Sequence, residues 1–304
     1  MTLHDLNQAQ TEQLRHLREV WPAYGHALQV VAATSGGMGW KNVKGVEYLV
    51  RYVHTDGKKK FTSYGRRSAE TEATYKSFEE TTLRARQIVK DGREDVALTC
   101  RLAKAHGLAR IPGRQAETLE WFWYADVTRR LSLFGGTALF AFEVGAGAMA
   151  PAAATKETHL TFLARTSDVG MLGLREIEEA CDVDRTGCVS RHKRNRILIE
   201  TTDGDPRAEI LLPDFLLERA ADGDLVSEVL DLPPYRGLTV ARDVRPLELT
   251  TVDPRAYAIF ARCLQDEDDI WTERTAIAAE MAERIDPAWN EFIADSAGGM
   301  LRGP

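Results

Sequence analysis

The stretch Leu131-Ser132-Leu133-Phe134-Gly135-Gly136-Thr137-Ala138-Leu139-Phe140-Ala141-Phe142-Glu143 decides how the chain is read. It is a short strand, then a glycine pair, then a helix that starts near Thr137. Glycines at a strand-to-helix turn let backbone N–H groups approach an anion. The helix N-terminus adds partial positive charge, and Thr137 adds a hydroxyl donor. The pattern points to an oxyanion-binding turn, with a triphosphate as its natural ligand. A tight turn without any ligand uses the same glycines.

Working outward, residues 158–165 (THLTFLAR) alternate as a strand, and residues 172–181 (LGLREIEEAC) form an amphipathic helix. Residues 188–213 read as two long strands around the turn Asp203-Gly204-Asp205-Pro206. Strand–helix–strand–helix–hairpin is a small α/β sheet. Upstream, a helix over 3–31 is interrupted at Pro22. Val46 to Thr55 and Lys60 to Tyr64 pair as a hairpin around Asp56-Gly57. Three helices follow: one capped by Ser68 that stops at Asp91-Gly92, one over 94–106, and one from Gln115 to about Arg130. Downstream the chain is mainly helical, with Asp253-Pro254 as a helix start and helices over 256–265, 268–284 and 287–293. Three regions are expected: 1–130, 131–215 and 216–304.

Hydrophobic residues make up 44% and charged residues 28% of the 304, which excludes disorder for most of the chain. No window holds the ~18 consecutive apolar residues of a membrane helix. The polar N-terminus lacks the apolar core of a signal peptide. These readings exclude a membrane partner and place the protein in the cytoplasm. Cys100, Cys181, Cys188 and Cys263 are scattered without a C-x-x-C pair, which argues against a zinc ribbon, a redox motif or a disulfide framework. The net charge of −7 conceals an asymmetry: Trp40 to Arg67 carries +6 and the remainder −13. Lys58, Lys59, Lys60, Arg66 and Arg67 in that segment are a candidate patch for an anionic partner such as RNA. Lysines also blunt an exposed sheet edge against aggregation. A second basic cluster, Arg191 to Arg196, falls on an expected strand.

About twenty residues after the glycine turn, Ala154-Thr155-Lys156-Glu157-Thr158-His159-Leu160 opens a strand, and Glu209 lies on the last strand of the later hairpin. This combination resembles the nucleotidyltransferase fold of the polymerase-β type. It is similar in particular to one bacterial family of that fold, in the order of Trp40, Gly45-Val46-Glu47-Tyr48-Leu49, Ser63-Tyr64-Gly65-Arg66-Arg67-Ser68-Ala69-Glu70-Thr71, Gly136 to Glu143, and Ala154 to His159. The likeness covers about residues 40 to 215. It implies an α/β protein with a minimal nucleotidyltransferase mixed sheet, an N-terminal hairpin and helical region, and a C-terminal helical region. It implies that Gly135, Gly136 and Thr137 hold the phosphates of a nucleoside triphosphate. It further implies that a D-x-D pair and a third carboxylate hold magnesium.

The positions of those ligands are here Glu157, His159 and Glu209. Glutamate ligates Mg²⁺ with a longer arm, whereas neutral histidine suits Mn²⁺ or Zn²⁺ better. Two functions are therefore expected. One is a nucleotidyltransferase, dependent on Mg²⁺ or Mn²⁺, that moves a nucleotidyl group onto an unknown acceptor hydroxyl, with His159 as substitute ligand or proton carrier. The other is a catalytically degenerate binding module of the same fold, for a nucleotide, a nucleic acid or a protein partner.

Overall fold

A computed structural model of the chain describes residues 2–55, 58–124, 130–165, 188–193 and 195–288. It divides into two compact units, Met1–Arg15 with Cys100–Pro304, and His16–Thr99. A two-residue strand β1 (His4–Asp5) precedes helix α1 (Gln8–Ala33), which runs through Pro22 without ending there. An antiparallel meander follows: β2 (Gly37–Val43), β3 (Val46–Thr55) and β4 (Lys58–Arg66). The expected hairpin is β3–β4, with Thr55 opposite Lys58; its Asp56-Gly57 turn lies outside the described residues. β2 joins it through a two-residue turn at Lys44-Gly45, with Val43 opposite Val46.

Helix α2 (Ala69–Ala105) is one uninterrupted element of 37 residues, where a stop at Asp91-Gly92 was expected. Ser68 caps it as anticipated, its Oγ accepting from the Thr71 N–H at 3.3 Å. The glycine has a different use. A Cβ on Gly92 would lie 3.0 Å from Tyr24 Cδ2 of α1, so the missing side chain lets two helices approach.

The other unit continues with β5 (Ala109–Ile111), α3 (Gly113–Tyr124), β6 (Leu131–Phe134), a 3-10 turn at Gly136–Ala138, α4 (Leu139–Ala146), β7 (Ala148–Met149) and β8 (Leu160–Ala164). Next come β9 (Cys188–Lys193), β10 (Arg196–Thr201), β11 (Pro206–Leu211), α5 (Pro213–Leu217) and α6 (Gly223–Leu230). It ends with β12 (Tyr235–Ala241), β13 (Pro246–Thr251), α7 (Pro254–Arg262) and α8 (Ile270–Ile285). β1 pairs with β7. The other eight strands form one mixed sheet in the order β5-β12-β13-β6-β8-β11-β10-β9.

Three differences from the sequence reading follow from this sheet. Residues 188–213 contain three strands, because Asn195 takes a left-handed φ of 57° and turns the chain between β9 and β10. The C-terminal region is not only helical: β12 and β13 enter the sheet between β5 and β6. The boundary expected after residue 215 therefore cuts across one sheet, and that expected after 130 separates β5 from its neighbour β12. The helix start at Asp253-Pro254 is as read, with the Asp253 side chain accepting from the Arg255 N–H at 2.9 Å. The helix expected over 172–181 lies outside the described residues, as do all but the first two residues of that expected over 287–293.

β6 and β8 are buried along their whole length, as strands covered on both faces must be. Phe134, Phe142, Phe162, Tyr257 and Phe260 are among the largest fully buried side chains. Phe134 stacks on Trp271 of α8 with centroids 5.1 Å apart and touches Tyr257 of α7 at 4.9 Å. That aromatic layer fixes the end of β6, where the glycine turn begins. No described helix is long and apolar enough to cross a membrane.

Candidate functional site

Gly135 has φ 88° and ψ −170°, a conformation open essentially to glycine alone. It aims the next two backbone N–H groups inward, at the head of the 3-10 turn and α4. They do not face an empty pocket. The Glu157 carboxylate accepts from Gly136 N and from Thr137 N, each at 2.8 Å, and from Thr137 Oγ1 at 2.5 Å. The expected oxyanion-binding turn thus binds an oxyanion that the chain itself supplies.

Glu157 and Arg274 of α8 are both only 5% exposed at the side chain and stand 3.9 Å apart. Arg274 also donates to the carbonyls of Ala154 and Lys156, both at 3.0 Å, and lies over the Trp271 ring. Burial pushes the Glu157 carboxyl up, opposed by the charge of Arg274 and the donors of Thr137 and Gly136. From α7, the Tyr257 hydroxyl donates to the Gly135 carbonyl at 2.8 Å. Three distant segments therefore pin one turn. Arg274 and Tyr257 are functional neighbours that motif reading misses. The readable signal for the first was an arginine on the apolar face of α8, between Trp271 and the Ala278 and Met281 turns.

His159 and Glu209 come together elsewhere. Glu209 on β11 is in register with Thr161 of β8, which is in register with Phe134. The His159 Nε2 stands 3.9 Å from Glu209 Oε2, and His159 Nδ1 is 3.0 Å from the Thr158 hydroxyl. Arg196 reaches Glu209 at 3.3 Å and Glu267 at 3.1 Å, and Arg219 reaches Glu267 at 2.9 Å. Both guanidinium groups lie over the Phe215 ring. Burial alone would raise the Glu209 carboxyl, but the His159 imidazole and Arg196 outweigh it and hold it below its ordinary value. The acidic run Asp266 to Asp269 is exposed and contributes Glu267 to this ion network at the surface.

The structure separates what the motif grouped. Glu157 is committed to the turn, and His159 and Glu209 to a network with Arg196. Among the described residues, no three His, Cys, Asp or Glu side chains gather as a metal-ligand set. Arranged this way, the site does not fit magnesium, which asks for several free oxygen ligands in near-octahedral array.

The basic segment is divided by strand register. Lys59 and Arg66 of β4 share one sheet face with Lys41, Tyr48, Tyr52 and Phe61. Lys60 belongs to the opposite face. So does Arg67, which pairs with Glu47 at 2.7 Å and Glu72 at 2.8 Å and covers the Trp40 ring. The side chain of Lys58 lies outside the described residues. In the second basic cluster, Arg191 is tied to Glu200 at 2.8 Å. Compared with protein families, with curated proteins and with solved structures, the chain matches none.

Proposed function

We propose that this chain is a catalytically degenerate binding module of the nucleotidyltransferase type, whose phosphate cradle is closed by its own Glu157. The observation behind this reading is the carboxylate that takes all three donors of the Gly136–Thr137 turn. Donors converging on a buried carboxylate are also the donors a phosphoryl group needs. In the cradle the side chain has three acceptor positions taken and is only 5% exposed, which leaves it poorly placed to ligate a metal, and Arg274 stabilises it there. The module's ligand is a nucleotide or another oxyanion able to displace Glu157.

A second reading, metal-dependent nucleotidyl transfer with Mg²⁺ or Mn²⁺, draws on the resemblance and on one feature. His159 and Glu209 stand side by side in the strand row next to the cradle. It requires Glu157 to leave the turn.

Calorimetric titration with ATP, GTP, CTP and UTP, with and without Mg²⁺ or Mn²⁺, separates the two by the sign of one mutant effect. The module reading expects weak binding by the wild type, whatever the metal. It expects metal-independent triphosphate binding to be gained in Glu157→Ala, or in Glu157→Asp, whose shorter arm leaves the cradle. The transferase reading expects metal-dependent binding by the wild type that Glu157→Ala abolishes. A folded Glu157→Ala protein that gains no affinity overturns the module reading.

A further inference from the structure

The β2–β3–β4 sheet has two chemically different faces. One packs on α2: Leu49 is fully buried, Trp40 meets Tyr75, and Arg51 lies over Phe78. The opposite face carries Lys41, Lys59 and Arg66 together with Tyr48, Tyr52 and Phe61, and no carboxylate falls on its register positions. Tyr52 and Phe61 are direct cross-strand partners. Phe61 is 53% exposed, which is wasteful for a core ring, and Lys41, Lys59 and Arg66 are all exposed. Each ring has a cation at its face: the Lys41 ammonium is 5.1 Å from the Phe61 centroid, and that of Lys59 is 4.6 Å from the Tyr52 centroid.

We infer that this face binds single-stranded RNA. Aromatic side chains on adjacent strands of an open sheet face stack unpaired bases, and cations between them track the phosphates. The two lysines exchange a ring face for a phosphate when a base arrives. A duplex hides its base faces, so rings of this kind favour a single strand. An acidic protein surface would use the cations but leave Phe61 and Tyr52 without a role. The hydroxyls of Tyr48, Tyr52 and Ser63 on this face favour RNA, whose 2′-hydroxyl both donates and accepts. The charge of the whole chain agrees: residues 40–67 carry a net +6 while the remainder carries −13. The inference is independent of the glycine-turn site and survives its failure.

The test is fluorescence anisotropy of a labelled oligouridylate of about twelve nucleotides with the full chain. Competitors are the matching oligodeoxyuridylate, an RNA duplex and heparin. Binding should weaken between about 50 and 200 mM salt with a log–log slope near −2, for three phosphate contacts at roughly −0.7 each. Phe61→Ala, at an exposed position that tolerates truncation, should weaken binding roughly tenfold. Lys41→Glu with Lys59→Glu should weaken it further and flatten the salt slope, whereas Lys60→Glu on the other face should leave it unchanged. The inference is overturned if no binding is seen, if Phe61→Ala has no effect, or if Lys60→Glu is as damaging as Lys59→Glu. Duplex RNA or heparin competing as well as the single strand would overturn it as a stacking site. Equal affinity for the deoxy strand would overturn the assignment to RNA.

Discussion

Glu157 shows how one side chain can reverse the meaning of a motif. At the glycine turn, where the motif suggests a phosphate, the Glu157 carboxylate is held by three hydrogen bonds and an arginine. Removing the arginine leaves that charge buried without its counter-ion. Arg274→Ala should therefore lower stability by about 3–5 kcal/mol, read from urea denaturation midpoints at constant slope. Tyr257→Phe deletes only the donor to the Gly135 carbonyl and should cost about 1 kcal/mol. The ordinary value of the Glu209 carboxyl is 4.5, and the fold lowers it. A lowered carboxylate stabilises the fold fully above its unfolded value, and that contribution is lost as pH falls through the folded value. The stability gap between wild type and Glu209→Gln should accordingly be constant at neutral pH and close below about pH 4.5. A gap that stayed open below that pH would contradict the Arg196 pairing.

Helix α2 is the element whose reading needed correction most. Gly92 has the composition of a helix stop but the environment of a helix contact. Alanine there gains about 1 kcal/mol of helix propensity and meets the Tyr24 ring. In a Tyr24→Ala background, Gly92→Ala should raise stability by about that full amount. In the wild-type background the gain should be smaller, and thermal denaturation of the four proteins in a double-mutant cycle measures the difference. The β3–β4 hairpin was legible because alternation and a two-residue turn are local properties. Its neighbour β2 was not, because the stretch Gly37–Val43 holds too few β-branched residues to announce a strand before β3 is there to pair with it.

The larger unit depends on pairings between residues far apart in the chain. β12 and β13 form the interior of the eight-stranded sheet, between β5 and β6. Truncation after Leu230 should therefore leave β5 without its partner and β6 without one of its two, rather than trim a separable C-terminal domain. The shortened chain should lose the cooperative thermal transition of the larger unit, followed by far-UV circular dichroism. Persistence of that transition at its original midpoint would contradict the sheet order.

Local chemistry alone determined the α/β class, the strand–glycine–helix turn, the β3–β4 hairpin, the caps at Ser68 and Asp253, and the net positive charge of residues 40–67. Each depends on residues within a few positions of one another, where spacing and backbone sterics act directly. Tertiary structure decided the rest. It turned Glu157 into the cradle and brought Arg274 and Tyr257 against it from more than a hundred residues away. It decided which face of the β2–β3–β4 sheet packs on α2 and so left that of Lys59 and Arg66 exposed. Strand order, register and the partner of a buried charge are settled by which surfaces exclude water together, a property that no window of sequence contains.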